Sequence, residues 1–223
     1  DSWGSSEIRH MAAIQSQGTT YVRRAPQRDL PSDPGSYDRI IVSGSKTPAT
    51  DQAPWISELD EFIRRAVDQR KPLLGICYGH QALARALGGT QSVRRAERGE
   101  FGWTKIELLP QAQENPLLRG LPRQFHTFSW HNDEVSVLPS GVTPLAKSEC
   151  CEIQAFQVKN RPAFGVQFHP ERSREGAERS LQKKHKEEPK IKLINPKAGE
   201  KLFDASVGET IFKNFLSLDP GAL

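Results

Sequence analysis

Apolar positions recur at helical spacing in several stretches of the chain, separated by short runs that are apolar throughout. Residues 5–17 place Ile8, Met11, Ala12 and Ile14 on one face. The clearest stripe follows Pro54, a residue suited to a first helical position, and aligns Trp55, Leu59, Phe62, Ile63, Ala66 and Val67. Residues 209–218 repeat the pattern through Ile211, Phe212, Phe215 and Leu216. A further helix is expected over 81–87, closed by Gly88 and Gly89. Residues 39–42 and 72–76 are short continuous apolar runs, the signature of strands buried on both faces. Residues 19–23 (Thr-Thr-Tyr-Val-Arg) read as another strand, and 26–36 as a polar loop.

The second half changes character. Residues 103–109, 124–130, 134–138, 152–158 and 163–168 read as successive strands joined by short turns. Helices alternating with buried strands, followed by strands alone, predict an α/β fold. The expected form is a flavodoxin-like open, mostly parallel sheet with helices on both faces and an antiparallel extension in the second half.

The chain has 223 residues, which suits a single domain over 1–223. Hydrophobic residues at 36% and charged residues at 26% are globular proportions. No apolar run approaches the roughly 18 residues of a membrane span, so no membrane is expected as a partner. The first residues show no basic segment followed by an apolar one, the mark of a signal peptide. A net charge of +4, without aromatics interleaved on a basic face, gives no ground for nucleic acid. Two of the three cysteines, Cys150 and Cys151, are adjacent, which excludes a disulfide framework and points to a reducing, cytoplasmic setting.

Gly75-Ile76-Cys77-Tyr78-Gly79 follows a buried strand and opens a helix. A nucleophile elbow needs that context: small neighbours permit the tight turn, and the side chain stands exposed above the sheet. The positive end of the helix then faces any charge that develops on the sulfur. A buried structural cysteine beside turn glycines is the other reading of these five residues alone. Gly165-Val166-Gln167-Phe168-His169-Pro170-Glu171 ends a second strand in a histidine with a carboxylate two residues on. A cysteine nucleophile needs a base, and the base needs an acceptor to orient it. No Cys/His cluster at ligand spacing suggests a metal, and no phosphate loop is present, so no cofactor is expected.

Gly-Ile-Cys-Tyr-Gly-His-Gln (75–81) together with Gly-Val-Gln-Phe-His-Pro-Glu (165–171) resembles the class I, triad-type glutamine amidotransferases. Ser43-Gly44-Ser45 and residues 51–55 resemble the stand-alone, GMP-synthase-like members, some of which are gamma-glutamyl peptidases. The resemblance covers roughly residues 1–171 and 208–218. It implies Cys77 as nucleophile, His169 as general base and acid, Glu171 as its orienter, and a gamma-glutamyl thioester intermediate. It further implies an oxyanion hole from the backbone N–H groups of Ser45 and Tyr78, with Gly44, Gln81, His131 and Asp133 contacting substrate. For His131 and Asp133 a hydrogen-bonded turn pair is the other reading. An extra Trp130 separates Ser129 from His131 relative to the family pattern, and residues 99–103 match a family turn that is mainly structural. His80, next to the nucleophile, is implied to lie on the helix behind the elbow and not to serve as base.

The resemblance also implies a buried strand before the first helix. Residues 1–4 already look like the loop after it, so the sequence starts past that strand or the sheet lacks it. Residues 172–207 form a charged insertion, with eight Lys or Arg against four Glu over 172–192. It is expected as a surface excursion at the rim of the active site, either a solvated decoration or a lid or docking surface. The implied substrate is glutamine or a gamma-glutamyl conjugate. A separate ammonia-acceptor synthase and a homodimer are the partners considered, and a catalytically silent binding module is the competing class of function.

Overall fold

In the computed structural model, which describes residues 4–219 and 221, the two continuous apolar runs become neighbouring parallel strands, β1 (Ile40–Val42) and β2 (Leu73–Ile76). Beside β2 lies β7 (Ala163–Val166), also parallel. Three antiparallel neighbours follow: β6 (Ala155–Val158), β5 (Val142–Lys147) and β3 (Val93–Leu108), and then β4 (Gln124–Val135) at the far edge. The sheet order is thus β1-β2-β7-β6-β5-β3-β4. The parallel part is confined to β1, β2 and β7, so the antiparallel extension is the larger portion of the sheet.

Both faces of the parallel part are covered, which is why its strands are apolar throughout. Alternate residues of β2 point to opposite sides. Leu73 packs with Leu59 and Ile63 of α2 (Pro54–Asp68) and Leu83 of α3 (Tyr78–Gly88). Leu74 and Ile76 pack with Ile8 of α1 (Ser5–Gln15) and with Ile211, Phe212 and Phe215 of α6 (Ala205–Leu216). Ile14, expected inward on α1, is 61% exposed.

Several expectations change. Residues 19–23 form no strand. They join no strand ladder among the described residues, and Tyr21 packs edge-on against Tyr37 instead. Their apolar pattern alone cannot supply the ladder a strand requires. The helix expected at 81–87 starts at Tyr78, because the reversal is concentrated in Cys77. Residues 134–138 are not a separate strand: β4 runs without a break to Val135, paired with β3 from Val93 onward across a bulge between Arg95 and Glu100. β3 begins ten residues before the expected start, since Arg94, Arg95, Glu97 and Arg98 hide it behind a polar sequence. β5, which contains Pro144, was not expected at all. The loop reading of residues 1–3 lies outside the described residues.

Residues 172–207 are only partly an excursion. They hold α4 (Arg174–Glu187) and α5 (Gly199–Leu202). Ser173 caps α4 by accepting the Gly176 N–H. Ala177 and Leu181 of α4 are buried with Trp103 and Phe128, flanked by Trp130, Leu193, Leu202 and Phe203. The Ile194 backbone then bonds to β3, donating to Phe101 O at 2.8 Å and accepting from Trp103 N at 3.0 Å. Gly102 permits that approach, since a Cβ there would lie 1.9 Å from Ile194 O. The sparse apolar residues of a charge-rich segment thus cover a sheet edge that would otherwise be open.

Candidate active site

Cys77 and His169 are 92 positions apart, and the pairing of β2 with β7 brings them together. Ile76 lies opposite Val166, so both chains leave the sheet at its C-terminal edge, where parallel sheets place their sites. The Cys77 N–H donates to Val166 O at 2.8 Å, which ties the elbow to the neighbouring strand. Cys77 has φ 52° and ψ −102°, a strained conformation for a residue with a Cβ. Two glycines make that turn possible. A Cβ on Gly79 would sit 1.9 Å from Val42 O, and one on Gly75 would sit 2.4 Å from Gly79 O. Cys77 is 6% exposed and faces a cleft of about 180 Å³ lined also by Ser45, Gln81, Trp130, His131 and Asp133.

His169 is within hydrogen-bonding reach of the Cys77 thiol on one side. On the other, its Nδ1 is 2.7 Å from Glu171 Oε1. Burial by itself pushes the imidazole down, but the Glu171 carboxylate and Cys77 outweigh it and raise the pKa to about 10. Gly4, at φ 77°, lies against the carboxylate, and a Cβ there would come within 2.8 Å of Glu171 Oε1. The N-terminus of α1 therefore covers the Glu171 side of the pair. His80 is fully buried, 4.7 Å from the Phe156 ring, and burial lowers it to about 3. It is a neutral core histidine behind the elbow.

The oxyanion and substrate positions are less uniform. Tyr78 is the first residue of α3, so its N–H belongs to the group that a helix leaves without an internal acceptor. Ser45 lines the cleft, and its φ is not positive, so its Cβ carries no conformational penalty here. Its Oγ accepts from Thr47 N at 3.1 Å. Gly44 is buried beside it. The Gln81 amide nitrogen donates to Asp133 O at 2.6 Å and to Gln167 Oε1 at 3.0 Å.

His131 and Asp133 are held in a buried network. His131 Nε2 is 2.8 Å from Glu100 Oε2, and its Nδ1 is 3.0 Å from Asp133 O. Asp133 Oδ2 accepts the Ala49 N–H at 2.7 Å, while Arg85 donates to Ala49 O at 2.7 Å. The segment carrying Ser45 is thus anchored at Ala49 from two elements. Sequence reasoning took Glu100 as part of a structural turn; it is 1% exposed and also accepts from Ser148 and Gln154. A lone carboxylate between Gly99 and Phe101 gives no sequence signal of its burial. Glu100, His131 and Cys151 lie close enough to suggest metal ligands. The donor chemistry does not fit: the Glu100 oxygens already accept hydrogen bonds, and burial pushes the Cys151 thiol up, away from the thiolate a metal requires.

Two backbone carbonyls of β4 also belong to the site and carry no side-chain signature. Phe128 O accepts the His169 N–H at 2.8 Å, and Trp130 O lies 3.5 Å from Cys77 Sγ.

A sequence model described as "Glutamine amidotransferase class-I" matches residues 8–186. The chain is 42% identical over 132 residues to a glutamine-hydrolyzing GMP synthase subunit of Methanocaldococcus jannaschii, covering 59% of this chain and 63% of that one. It is 33% identical over 170 residues to the GMP synthase subunit of the same name from Methanococcus maripaludis, covering 72% of this chain and 87% of that one. The chain thus spans under two thirds of the first relative's length. Among solved structures, a glutamine amido transferase from Methylobacillus flagellatus superposes with a TM-score of 0.78 at 24% identity, over 94% of this chain and 88% of that one.

Proposed function

Since the chain belongs to the class-I glutamine amidotransferase family, we propose that it hydrolyses the side-chain amide of glutamine through a thioester on Cys77. The observation that carries this reading is the Cys77–His169–Glu171 arrangement at the C-terminal edge of paired strands. Cys77 gives its proton to His169 as its sulfur attacks the amide carbon, and the carbonyl oxygen becomes an oxyanion held by the N–H groups of Tyr78 and Ser45. The His169 imidazolium gives its proton to the departing nitrogen, so the C–N bond breaks and ammonia leaves. Water, deprotonated by His169, then adds to the thioester, and the C–S bond breaks to release glutamate. Glu171 holds the imidazole orientation and stabilises its cation throughout.

Gln81, His131 and Asp133 shape the substrate end of the cleft, and Gly44 precedes Ser45 in the loop that borders it. The side chains of His131 and Asp133 act through the network that fixes the cleft wall, since both are engaged within the protein. The names of the relatives support a separate synthase as acceptor of the ammonia. Residues 1–223 form a single amidotransferase domain in this reading.

The test is ammonia release from glutamine by the purified chain, with and without the ATP-binding half of a GMP synthase, beside gamma-glutamyl dipeptides. Glutamine turnover that rises with the synthase half supports the reading. Turnover of the dipeptides alone assigns the site to conjugate hydrolysis, and no turnover with any of them leaves a silent binding module. Sedimentation of the same mixtures reads both the synthase complex and self-association.

A further inference from the structure

Helix α4 packs on Trp103 of β3 and Phe128 of β4, and one of its lysines reaches the residues that space the catalytic pair. Lys184 is only 14% exposed at its side chain, unlike its neighbour Lys183 at 73%. Its ammonium sits 4.8 Å from the Phe101 ring centroid and 5.9 Å from that of Trp130, and 2.6 Å from Glu188 Oε1. Phe101 and Trp130 are direct cross-strand partners, with rings edge to face at 5.3 Å. Trp130 in turn stacks on Phe128 at 5.9 Å, and Phe128 lies against the His169 ring at 6.4 Å. One lysine therefore closes the end of an aromatic row that runs to the catalytic histidine.

The backbone of the same row sets the geometry of the site. Phe128 O receives the His169 N–H, and two residues along, Trp130 O faces the Cys77 sulfur. The rise of β4 between these carbonyls is a fixed length, so a shift of β4 displaces both contacts together against β2 and β7, the strands that lead into Cys77 and His169. A cation over two partly desolvated aromatic faces resists that shift more than a solvated lysine would.

We infer that Lys184 is a positioning residue for the proposed reaction: seated on Phe101 and Trp130, it holds β4 in the place from which its carbonyls space Cys77 and His169. The inference rests on the function proposed above for its kinetic readout, and on the geometry alone for its chemical one. It gives residues 172–207 a part in catalysis without contact to substrate.

The experiment compares Lys184→Met, Lys184→Arg and Glu188→Gln with the wild-type chain. Two rates are read at one pH: kcat and KM for glutamine, and alkylation of Cys77 by iodoacetamide. The wild-type and Cys77→Ala chains calibrate the alkylation site. Lys184→Met keeps the apolar stem and removes the charge. It is expected to lower kcat and the alkylation rate together, by roughly three- to tenfold, with KM unchanged. Lys184→Arg is expected to restore both rates, because a guanidinium also seats on aromatic faces. Glu188→Gln keeps the lysine on the rings and should stay near wild type. The inference is overturned if Lys184→Met alkylates at the wild-type rate, or if its loss appears in KM alone. It is also overturned if Lys184→Arg fails to restore the rates while melting like wild type. Should the wild-type chain not turn over glutamine, the alkylation comparison still decides the inference, and only the function reading fails.

Discussion

The elbow and the β3–β4 wall meet at the same cleft but are built by opposite means. At the elbow, backbone lies on backbone: Gly79 under Val42 O, Gly75 under Gly79 O, and Cys77 N bonded to Val166 O. The wall is held by side chains: Glu100 to His131, Asp133 to Ala49, Lys184 over Phe101 and Trp130. A region packed on its backbone fails when an atom is added. A region held by polar side chains fails when one is removed, because the remaining partner is then buried without a bond. Chemistry is concentrated in the first and alignment in the second.

The sharpest separation is between chemistry and stability within the elbow itself. Cys77→Ala removes the proposed nucleophile from a position already facing the cleft. It should lower kcat by about 10⁴ to 10⁶, by analogy with serine triads, with an unchanged urea midpoint. His169→Ala should come close to this, and Glu171→Gln should lose less, since an amide still orients the ring. Retention of a tenth of wild-type hydrolysis by Cys77→Ala would remove the elbow from the mechanism.

Adding one methyl group beside it should do the reverse. Gly79→Ala forces a Cβ to within 1.9 Å of Val42 O, and the atoms it meets first are strand backbone, which has little room to yield. A loss of about 4 kcal/mol or more in urea unfolding is expected. An alanine variant as stable as wild type would show that the close approach is not what holds the elbow.

Deletion should be the sensitive change in the wall. Glu100→Gln leaves the volume but weakens the bonds to His131, Ser148 and Gln154. It should cost about 1–3 kcal/mol and raise KM for glutamine more than it lowers kcat, since the cleft lining shifts while Cys77 and His169 stay paired. A pure kcat loss would place Glu100 with Lys184, in the spacing of Cys77 and His169.

The last comparison is in the pH dependence of stability. The folded His169 pKa of about 10 lies above an unfolded value of about 6.5. The stabilisation it provides is complete below about pH 6.5 and is lost as pH rises toward 10. Urea midpoints of wild type should therefore fall across that window, and Glu171→Gln should flatten the fall. An equally steep fall in Glu171→Gln would assign it to other groups.

How much of this was legible beforehand divides along the same line. The glycine-flanked Cys77, the His169-Pro170-Glu171 run and the apolar stripe after Pro54 are local patterns, and each folded where its spacing indicated. Local sterics and periodicity act within a few residues, so the chain itself displays them. The extended reading of 19–23 failed, and the start of β3 was missed, because a strand is defined by its neighbour and not by its own residues.

The sequence by itself determined the parallel strands, the elbow, the residue types of the proposed triad and the helices that cover them. Only the tertiary structure decided the partners: that His131 turns to Glu100, that Asp133 reaches Ala49, that His80 is buried neutral, and that a charge-rich segment lays Leu181 and Lys184 on β4. The physical reason is range. Backbone conformation responds to the nearest residues, whereas burial and hydrogen bonding of a polar side chain depend on groups tens of positions away, brought near only when the sheet closes its register.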